Sequence, residues 1–105
     1  MKSAVLNCEQ VAERLAGCKE EILALGVVRL AIFGSVLRGQ TRDDSDVDLV
    51  VEFARGAKSF DRLLALSDLL EARLGRRAEL VTTEALSPFI GPRILAEAQD
   101  VLRAA

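Results

Sequence analysis

The sequence predicts an α+β fold, with mixed α/β character, in which helices and strands alternate in the order αβαβαβα. Two long stretches carry apolar residues at steps of three and four, as amphipathic helices do, and three short aliphatic runs have the length of strands. A chain of 105 residues can build one compact core. We therefore expect a single domain over residues 1–105, with a small three-stranded mixed sheet packed against helices.

An apolar stripe and a β-branched run predict the first helix and the first strand. Asn7 and Gln10 form a variant of the capping box, and Gly26 is placed to end a helix over residues 8–25. The stripe consists of Val11, Leu15, Cys18, Ile22 and Leu25. The strand is predicted over Val27–Phe33, and the residues expected on one of its faces are Val28, Leu30 and Ile32.

The second half of the chain predicts two more strands and two more helices. A strand is expected over Val47–Phe53 and another over residues 77–81, and between them Ser59 can cap a helix over Phe60–Leu74 that Gly75 ends. The Ser87-Pro88 and Gly91-Pro92 pairs are both signals for the start of a last helix. Its apolar side is predicted to be Ile94, Leu95, Ala98, Val101 and Leu102.

Composition excludes several classes of function. The absence of histidine removes Ser-His-Asp hydrolysis and histidine zinc sites. The net charge is −2 and the chain lacks Tyr and Trp, so we expect no long nucleic acid as a partner. No apolar run reaches the roughly 18 residues of a membrane span and no signal peptide is recognisable, which predicts a cytoplasmic protein. Cys8 and Cys18 are predicted to be buried thiols on different helix faces.

The residues that can carry chemistry lie where the first strand ends and the second begins. Asp46 and Asp48 are alternate residues of a strand, so their carboxylates project from one face, roughly 6.5–7 Å apart at Cα. Mg²⁺ prefers such hard oxygen ligands, together with substrate phosphates. Gly34 and Ser35 supply close backbone approach and hydrogen-bond donors for a phosphate. Either pair alone is also typical of an ordinary turn.

Chain topology is expected to bring these two groups together. If the first two strands pair antiparallel, Gly34 at the end of one lies beside Asp48 at the start of the other. A right-handed crossover would make the third strand parallel to the second, so that its opening residues flank the aspartates. The acidic residue at that position is Glu79.

This constellation resembles the polymerase-β-like nucleotidyltransferase superfamily, whose pattern is Gly-Ser, about ten residues and Asp-x-Asp. It is similar to the minimal nucleotidyltransferases, which read GSxxxGxxxxxSDxDL. The matching residues are Gly34, Ser35, Gly39, Ser45, Asp46, Asp48 and Leu49. Two residues depart from the family: Glu79, where a third carboxylate is usually Asp, and Val36, where close relatives often carry Arg.

The resemblance implies the nucleotidyltransferase fold, a site and a reaction. The catalytic and metal-binding residues would be Asp46, Asp48 and Glu79, holding two Mg²⁺ ions. The nucleotide-binding residues would be Gly34, Ser35, Arg38 and Ser45, with Arg42 a further candidate. ATP is the implied substrate and AMP the group transferred. A surface or structural role is the alternative for Glu79, and a solvated side chain is the alternative for the two arginines.

The resemblance also implies a partner. Minimal nucleotidyltransferases commonly act as antitoxins of a small HEPN-type helical ribonuclease, adding AMP to a tyrosine of that toxin, and this is the leading hypothesis. The alternative is an inactive or weakened antitoxin that neutralises its toxin by binding alone, which Glu79 and Val36 favour. A free-standing enzyme acting on a small molecule is a third hypothesis. The acceptor and the homo- or hetero-oligomeric state stay open.

Overall fold

The computed structural model describes residues 7–34, 46–89 and 91–104. Along these ranges the helices are α1 (Cys8–Ala16), α2 (Lys19–Ala24), α3 (Phe60–Leu74) and α4 (Gly91–Glu97), with a 3₁₀ turn at Thr83–Ala85. The strands are β1 (Val27–Phe33), β2 (Val47–Phe53), β3 (Ala78–Thr82) and β4 (Gln99–Arg103). The predicted α+β class is confirmed.

The described strands form one mixed sheet in the order β3-β2-β1-β4. β1 pairs antiparallel with β2 on one side and with β4 on the other. β2 pairs parallel with β3, as the predicted crossover through α3 requires. The strands β1, β2 and β3, which carry or adjoin the described candidate residues, are therefore consecutive in the sheet.

The core lies against one face of this sheet. The alternate residues Val47, Leu49 and Val51 of β2 are fully buried and belong to one apolar cluster. The helical members of the cluster that are fully buried are Val11, Leu15, Ile22, Leu66, Leu70 and Leu74. Burying one such side chain stabilises the fold by roughly 1.5–3 kcal/mol. Burial against this face therefore determines which alternate residues of each strand point into the core.

Helix α3 begins and ends as the sequence predicts. The Ser59 Oγ accepts a hydrogen bond from the backbone N–H of Arg62 at 3.1 Å, which satisfies a donor of the first turn. Gly75 ends the helix in the left-handed conformation, with φ +70°. The stripe Leu66, Leu70 and Leu74 is buried between these ends.

The prediction of one continuous helix over residues 8–25 is wrong, because this stretch forms two helices, α1 and α2. The capping box predicted at Asn7 and Gln10 is present, but α1 ends at Gly17 and Cys18 precedes α2 with a non-helical φ of −129°. The buried positions Val11, Leu15, Cys18 and Ile22 keep their predicted spacing through the break. The predicted burial is therefore confirmed at these four positions, while Leu25 of the predicted stripe is only partly buried. The predicted continuous helical backbone was wrong.

Strand β1 carries an irregularity that changes its predicted faces. Its register with β2 shifts between Val27 and Arg29, as at a β-bulge. Val27 joins Leu30 in the core cluster, and Val28 is only partly buried. The prediction that Val28 shares the face of Leu30 is wrong, because one extra residue interrupts the alternation.

The C-terminal residues form a strand where a helix was predicted. Helix α4 ends at Glu97, and Val101 and Leu102 lie in β4. Leu102 pairs with Leu30 and is 7% exposed. The sheet therefore has a fourth strand in addition to the three that were predicted.

Neither a membrane span nor a disulfide is found in the described part of the chain. None of its helices has the length and apolar character needed to cross a bilayer. Cys8 and Cys18 are free thiols, and burial raises the pKa of each. The prediction of buried thiols is confirmed for Cys18 and wrong for Cys8, which is partly exposed.

Candidate functional site

The candidate site lies where β1 ends and β2 and β3 begin. Phe33, the last residue of β1, pairs with Asp48, and Gly34 follows directly. On the other side of β2, Asp48 pairs with Glu79. Neighbouring strands lie about 4.8 Å apart, so the sheet brings Gly34, Asp48 and Glu79 side by side.

The predicted carboxylates lie on the face of the sheet opposite the core. Because Val47 and Leu49 point into the core, Asp46 and Asp48 are on the other face. Ala78 and Leu80 pack against the core, which places Glu79 between them on that same outer face. Asp46 and Asp48 are partly buried, whereas Glu79 is exposed.

Gly34 makes the tightest approach in this site. Its φ is +77°, and a Cβ built at this position would lie 3.1 Å from Asp48 Cγ and 3.2 Å from Asp48 Cβ, with Asp48 Oδ2 nearer still. The Asp48 carboxylate therefore occupies the space that a side chain at position 34 would fill. It lies against Gly34 at the end of β1.

The donor set suits Mg²⁺ in chemistry and in strand position. Asp46, Asp48 and Glu79 offer hard carboxylate oxygens, which Mg²⁺ prefers, on one face of the two adjacent strands β2 and β3. Within residues 7–34, 46–89 and 91–104, no group of three or more His, Cys, Asp or Glu side chains is arranged to hold a metal ion. The backbone thus places the three residues together, while their side chains do not form a closed ligand group.

Several predicted residues fall outside the described part of the chain. These are Ser35, Arg38 and Ser45 of the predicted nucleotide site, together with Val36, Gly39 and Arg42. Of the predicted site residues, the structure places Gly34, Asp46, Asp48 and Glu79, and it places them at one corner of the sheet.

A second group of charges on the sheet was not predicted. The Asp100 carboxylate accepts hydrogen bonds from Arg29 Nε at 2.6 Å and from Arg103 Nε at 2.9 Å. Burial raises the pKa of Asp100, but these hydrogen bonds and the two positive charges outweigh burial and lower it below its usual value. The group was missed because Asp100 and Arg103 were assigned to a helix, and only β4 brings them beside Arg29 of β1.

An apolar groove beside α3 and β3 is the other concave feature near the site. Its lining residues are Phe60, Leu63, Leu64, Ser67 and Leu80, and its empty volume is about 440 Å³. Its only side-chain polar group is the Ser67 hydroxyl, so it lacks the charges that a triphosphate requires. The corner of the sheet with Asp48 is therefore the better candidate for a nucleotide.

Comparison with known protein families identifies the family to which the chain with this site belongs. The profile of the nucleotidyltransferase domain family matches residues 15–101, which includes every candidate site residue. The chain belongs to this nucleotidyltransferase family.

Relatives of similar length support the assignment of this nucleotidyltransferase to the minimal group. A protein adenylyltransferase named MntA from Thermococcus cleftensis is 36% identical over 95 residues, which is 90% of this chain and 95% of the relative. A protein of Methanocaldococcus jannaschii that is named a candidate protein adenylyltransferase is 41% identical over 81 residues, 77% of this chain and 86% of that one.

Solved structures with the same fold include a minimal nucleotidyltransferase. A protein solved under that provisional name has a TM-score of 0.67 and 37% identity, covering 83% of this chain and 92% of its own. A chain of a toxin–antitoxin complex solved with AMP-PNP has a TM-score of 0.70 at 16% identity, covering 89% of this nucleotidyltransferase and 73% of its own length. The predicted membership in the minimal nucleotidyltransferases of the polymerase-β-like superfamily is thus confirmed.

Proposed function

We propose that this nucleotidyltransferase transfers AMP from ATP to a hydroxyl group of a partner protein. One observation carries the proposal: Asp48 lies against Gly34 on one side and in register with Glu79 on the other. Carboxylates for a metal and a glycine turn for phosphates therefore occupy the same corner, as transfer of a phosphoryl-linked group requires. The relatives named protein adenylyltransferase support the choice of acceptor class.

The proposed reaction exchanges one phosphorus–oxygen bond for another. The acceptor oxygen forms a bond to the α-phosphorus of ATP, the bond from that phosphorus to the β-phosphate oxygen breaks, and pyrophosphate leaves in line with the attack. The hydroxyl proton passes to a carboxylate, for which we propose Glu79, and then to water. In this scheme Gly34 and Ser35 cradle the terminal phosphates, with Arg38 and Ser45 as further contacts.

The proposed magnesium ligands are Asp46, Asp48 and Glu79. When bound, two Mg²⁺ ions would neutralise phosphate charge and favour the deprotonated acceptor. The residues of the chain supply the rest: Asp46 and Asp48 bring negative charge to one face of β2, and the strand pairing fixes their distance from β1 and β3.

We further propose that the partner is a toxin and that the chain is its antitoxin. A chain of a toxin–antitoxin complex has this fold, and the MntA relative carries the same name as a protein in a solved toxin–antitoxin complex, MntA–HpeT. The HEPN class of helical ribonuclease, with a tyrosine hydroxyl as acceptor, is the proposed toxin.

A labelling experiment tests the proposed reaction. The chain is purified with its partner and incubated with ATP labelled at the α-phosphate and Mg²⁺; the partner should acquire label. Asp46→Asn should reduce the labelling rate on the order of 10³-fold, because one of the charges that hold the metal is lost. The matched control is Asp68→Asn, an exposed carboxylate on α3, which should label as the unmodified chain does. Absence of label with every nucleoside triphosphate would overturn the enzymatic proposal.

The exposed position of Glu79 favours a second candidate, an antitoxin that acts by binding alone. In that case the carboxylates would not bind a metal together, and nucleotide affinity would not depend on Mg²⁺. Calorimetry with a non-hydrolysable ATP analogue separates the two. A tenfold or greater gain in affinity on adding Mg²⁺ supports the enzyme, whereas equal affinities support the binding module.

A further inference from the structure

The contact between Gly34 and Asp48 does more than allow a turn. A Cβ at position 34 would lie 3.1 Å from Asp48 Cγ and 3.2 Å from Asp48 Cβ, both closer than carbon atoms normally approach. Rotation about the Cα–Cβ bond of Asp48 would carry the carboxylate away, but it would leave the Cβ in place. A side chain at position 34 therefore displaces the carboxylate and still crowds the strand.

The chain offers a glycine that separates this contact from backbone strain. Gly56 has the same φ of +77° as Gly34, but a Cβ built on Gly56 has nothing within 4 Å. A residue other than glycine is strained at both positions, because the left-handed region is unfavourable for L-residues. Only at Gly34 does it also collide with a carboxylate.

We propose that Gly34 is a positioning residue for Asp48, acting through the space that its missing side chain leaves. The pairing of Phe33 with Asp48 sets the two strands side by side, and the absence of a Cβ at Gly34 lets the carboxylate lie over the end of β1. This role is distinct from any contact between Gly34 and a phosphate. The steric role of Gly34 holds whatever Asp48 binds. Only the identity of the ligand of Asp48 rests on the proposed function.

The position of the carboxylate has a chemical consequence. Asp48 lies on β2, between β1 and β3, and its carboxylate lies against Gly34, where β1 ends and the glycine turn begins. The carboxylate is thereby placed next to the proposed phosphate-binding turn. A metal ligand at that place can share its ion with a phosphate oxygen.

A double-mutant cycle in thermal stability tests the steric part of the proposal. Gly56→Ala should lower the Tm by about 5 °C, the effect of strain alone, and Gly34→Ala should lower it by roughly 10–15 °C. In an Asp48→Ala background, which removes the carboxylate, the excess for Gly34→Ala over Gly56→Ala should shrink by at least half. Equal losses at the two glycines, or an excess that Asp48→Ala leaves intact, would overturn the proposal.

One further background and a folding test complete the cycle. Asp48→Asn has the shape of Asp48 without its charge, so the excess for Gly34→Ala should persist in that background; loss of the excess there would show an electrostatic rather than a steric cause. If Gly34→Ala alone does not fold, the double variant with Asp48→Ala should recover folding. A double variant that stays unfolded contradicts the proposal.

Nucleotide binding tests whether the displaced carboxylate matters for the site. For a non-hydrolysable ATP analogue, Gly34→Ala should remove the Mg²⁺-dependent gain in affinity by about tenfold or more, and should change the affinity without Mg²⁺ much less. Gly56→Ala should retain that gain. Equal losses with and without Mg²⁺ would assign Gly34 to phosphate contact alone. An unmodified chain that binds no nucleotide refutes the proposed function, and the stability cycle then still decides the steric claim.

Discussion

At the scale of single residues, Glu79 is the departure from the family pattern that most affects the chemistry of the site. Its carboxylate is one C–C bond further from the backbone than that of an aspartate, about 1.5 Å, whereas Mg²⁺ ligand distances tolerate only a few tenths of an ångström. The topology predicted that Glu79 flanks the aspartates, and the structure pairs it with Asp48. Its role in the reaction stays a prediction.

Charge and length at Glu79 can be tested separately. Glu79→Gln should lower the AMP-transfer rate by about 10²–10⁴-fold, because the amide neither accepts the acceptor proton nor attracts a cation. Glu79→Asp, which keeps the charge, should stay within tenfold of the unmodified chain. Rates are measured as initial label transfer to the partner.

The control for Glu79 is a glutamate away from the site. Glu97→Gln, at the end of α4 with its side chain 59% exposed, should not change the rate. A rate for Glu79→Gln equal to that of this control would make Glu79 a surface residue and would favour the antitoxin that acts by binding alone.

At the scale of elements, two glycines at helix ends differ in backbone conformation. Gly17 ends α1 at the break before α2, and Gly75 ends α3. Gly17 has φ −69°, within the range of any L-residue, and a Cβ there meets its nearest atoms at 3.5 Å, an ordinary contact. Gly17→Ala should raise the free energy of unfolding by about 0.4–1 kcal/mol, because the unfolded chain loses conformational entropy. Gly75→Ala, with φ +70° and open space around it, should lower it by about 1–2 kcal/mol.

Urea denaturation measures both changes in the free energy of unfolding. The slope of each transition is compared with that of the unmodified chain. The two alanines have the same side chain and both occupy helix ends, so the sign of the effect depends only on the backbone conformation. Destabilisation by Gly17→Ala would mean that the break between α1 and α2 requires glycine for another reason.

Elements in which the buried positions set the spacing of the apolar residues were predictable from the sequence. Val27–Phe33, Val47–Phe53 and Phe60–Leu74 have the predicted bounds, because glycines or a serine cap flank long apolar patterns. The same spacing did not reveal the break at Gly17, since a turn there preserves the three- and four-residue steps of the buried positions.

Strand β4 could not be predicted from spacing. Val101 and Leu102 continue a helical pattern with Ile94 and Leu95, and five residues are too few for alternation to outweigh it. The strand exists because β1 offers a second edge, so tertiary pairing overrides the local pattern. The candidate site was more predictable, because it depends on β1, β2 and β3 and not on β4.

At the scale of the whole molecule, Asp100 joins residues far apart in the sequence. Its carboxylate binds Arg29, 71 residues away, and Arg103, with Asp100 about one-third exposed. Because the pKa of Asp100 is lowered in the folded protein, the stabilisation is complete above the unfolded value of about 3.9 and is lost as the pH falls through the lower, folded value.

Asp100→Asn should therefore destabilise the protein at neutral pH and have a vanishing effect in acid. We expect a loss of roughly 0.2–1 kcal/mol in the free energy of unfolding at pH 7, as for partly exposed ion pairs, and a smaller difference near pH 3. Urea titrations at both pH values measure it, with Asp68→Asn as the control. An Asp100→Asn effect that is equal at the two pH values would show that the carboxylate charge is not what joins β4 to β1.

The order of the strands also bears on how the chain is made. β1, β2 and β3 leave the ribosome before β4, yet β1 is an inner strand only once β4 has paired with it. Until Arg103 has been synthesised, the backbone of β1 next to Gly34 keeps one row of amide and carbonyl groups open to other chains. Slow translation of the residues of β4 should therefore prolong the interval in which the nascent protein is vulnerable to aggregation.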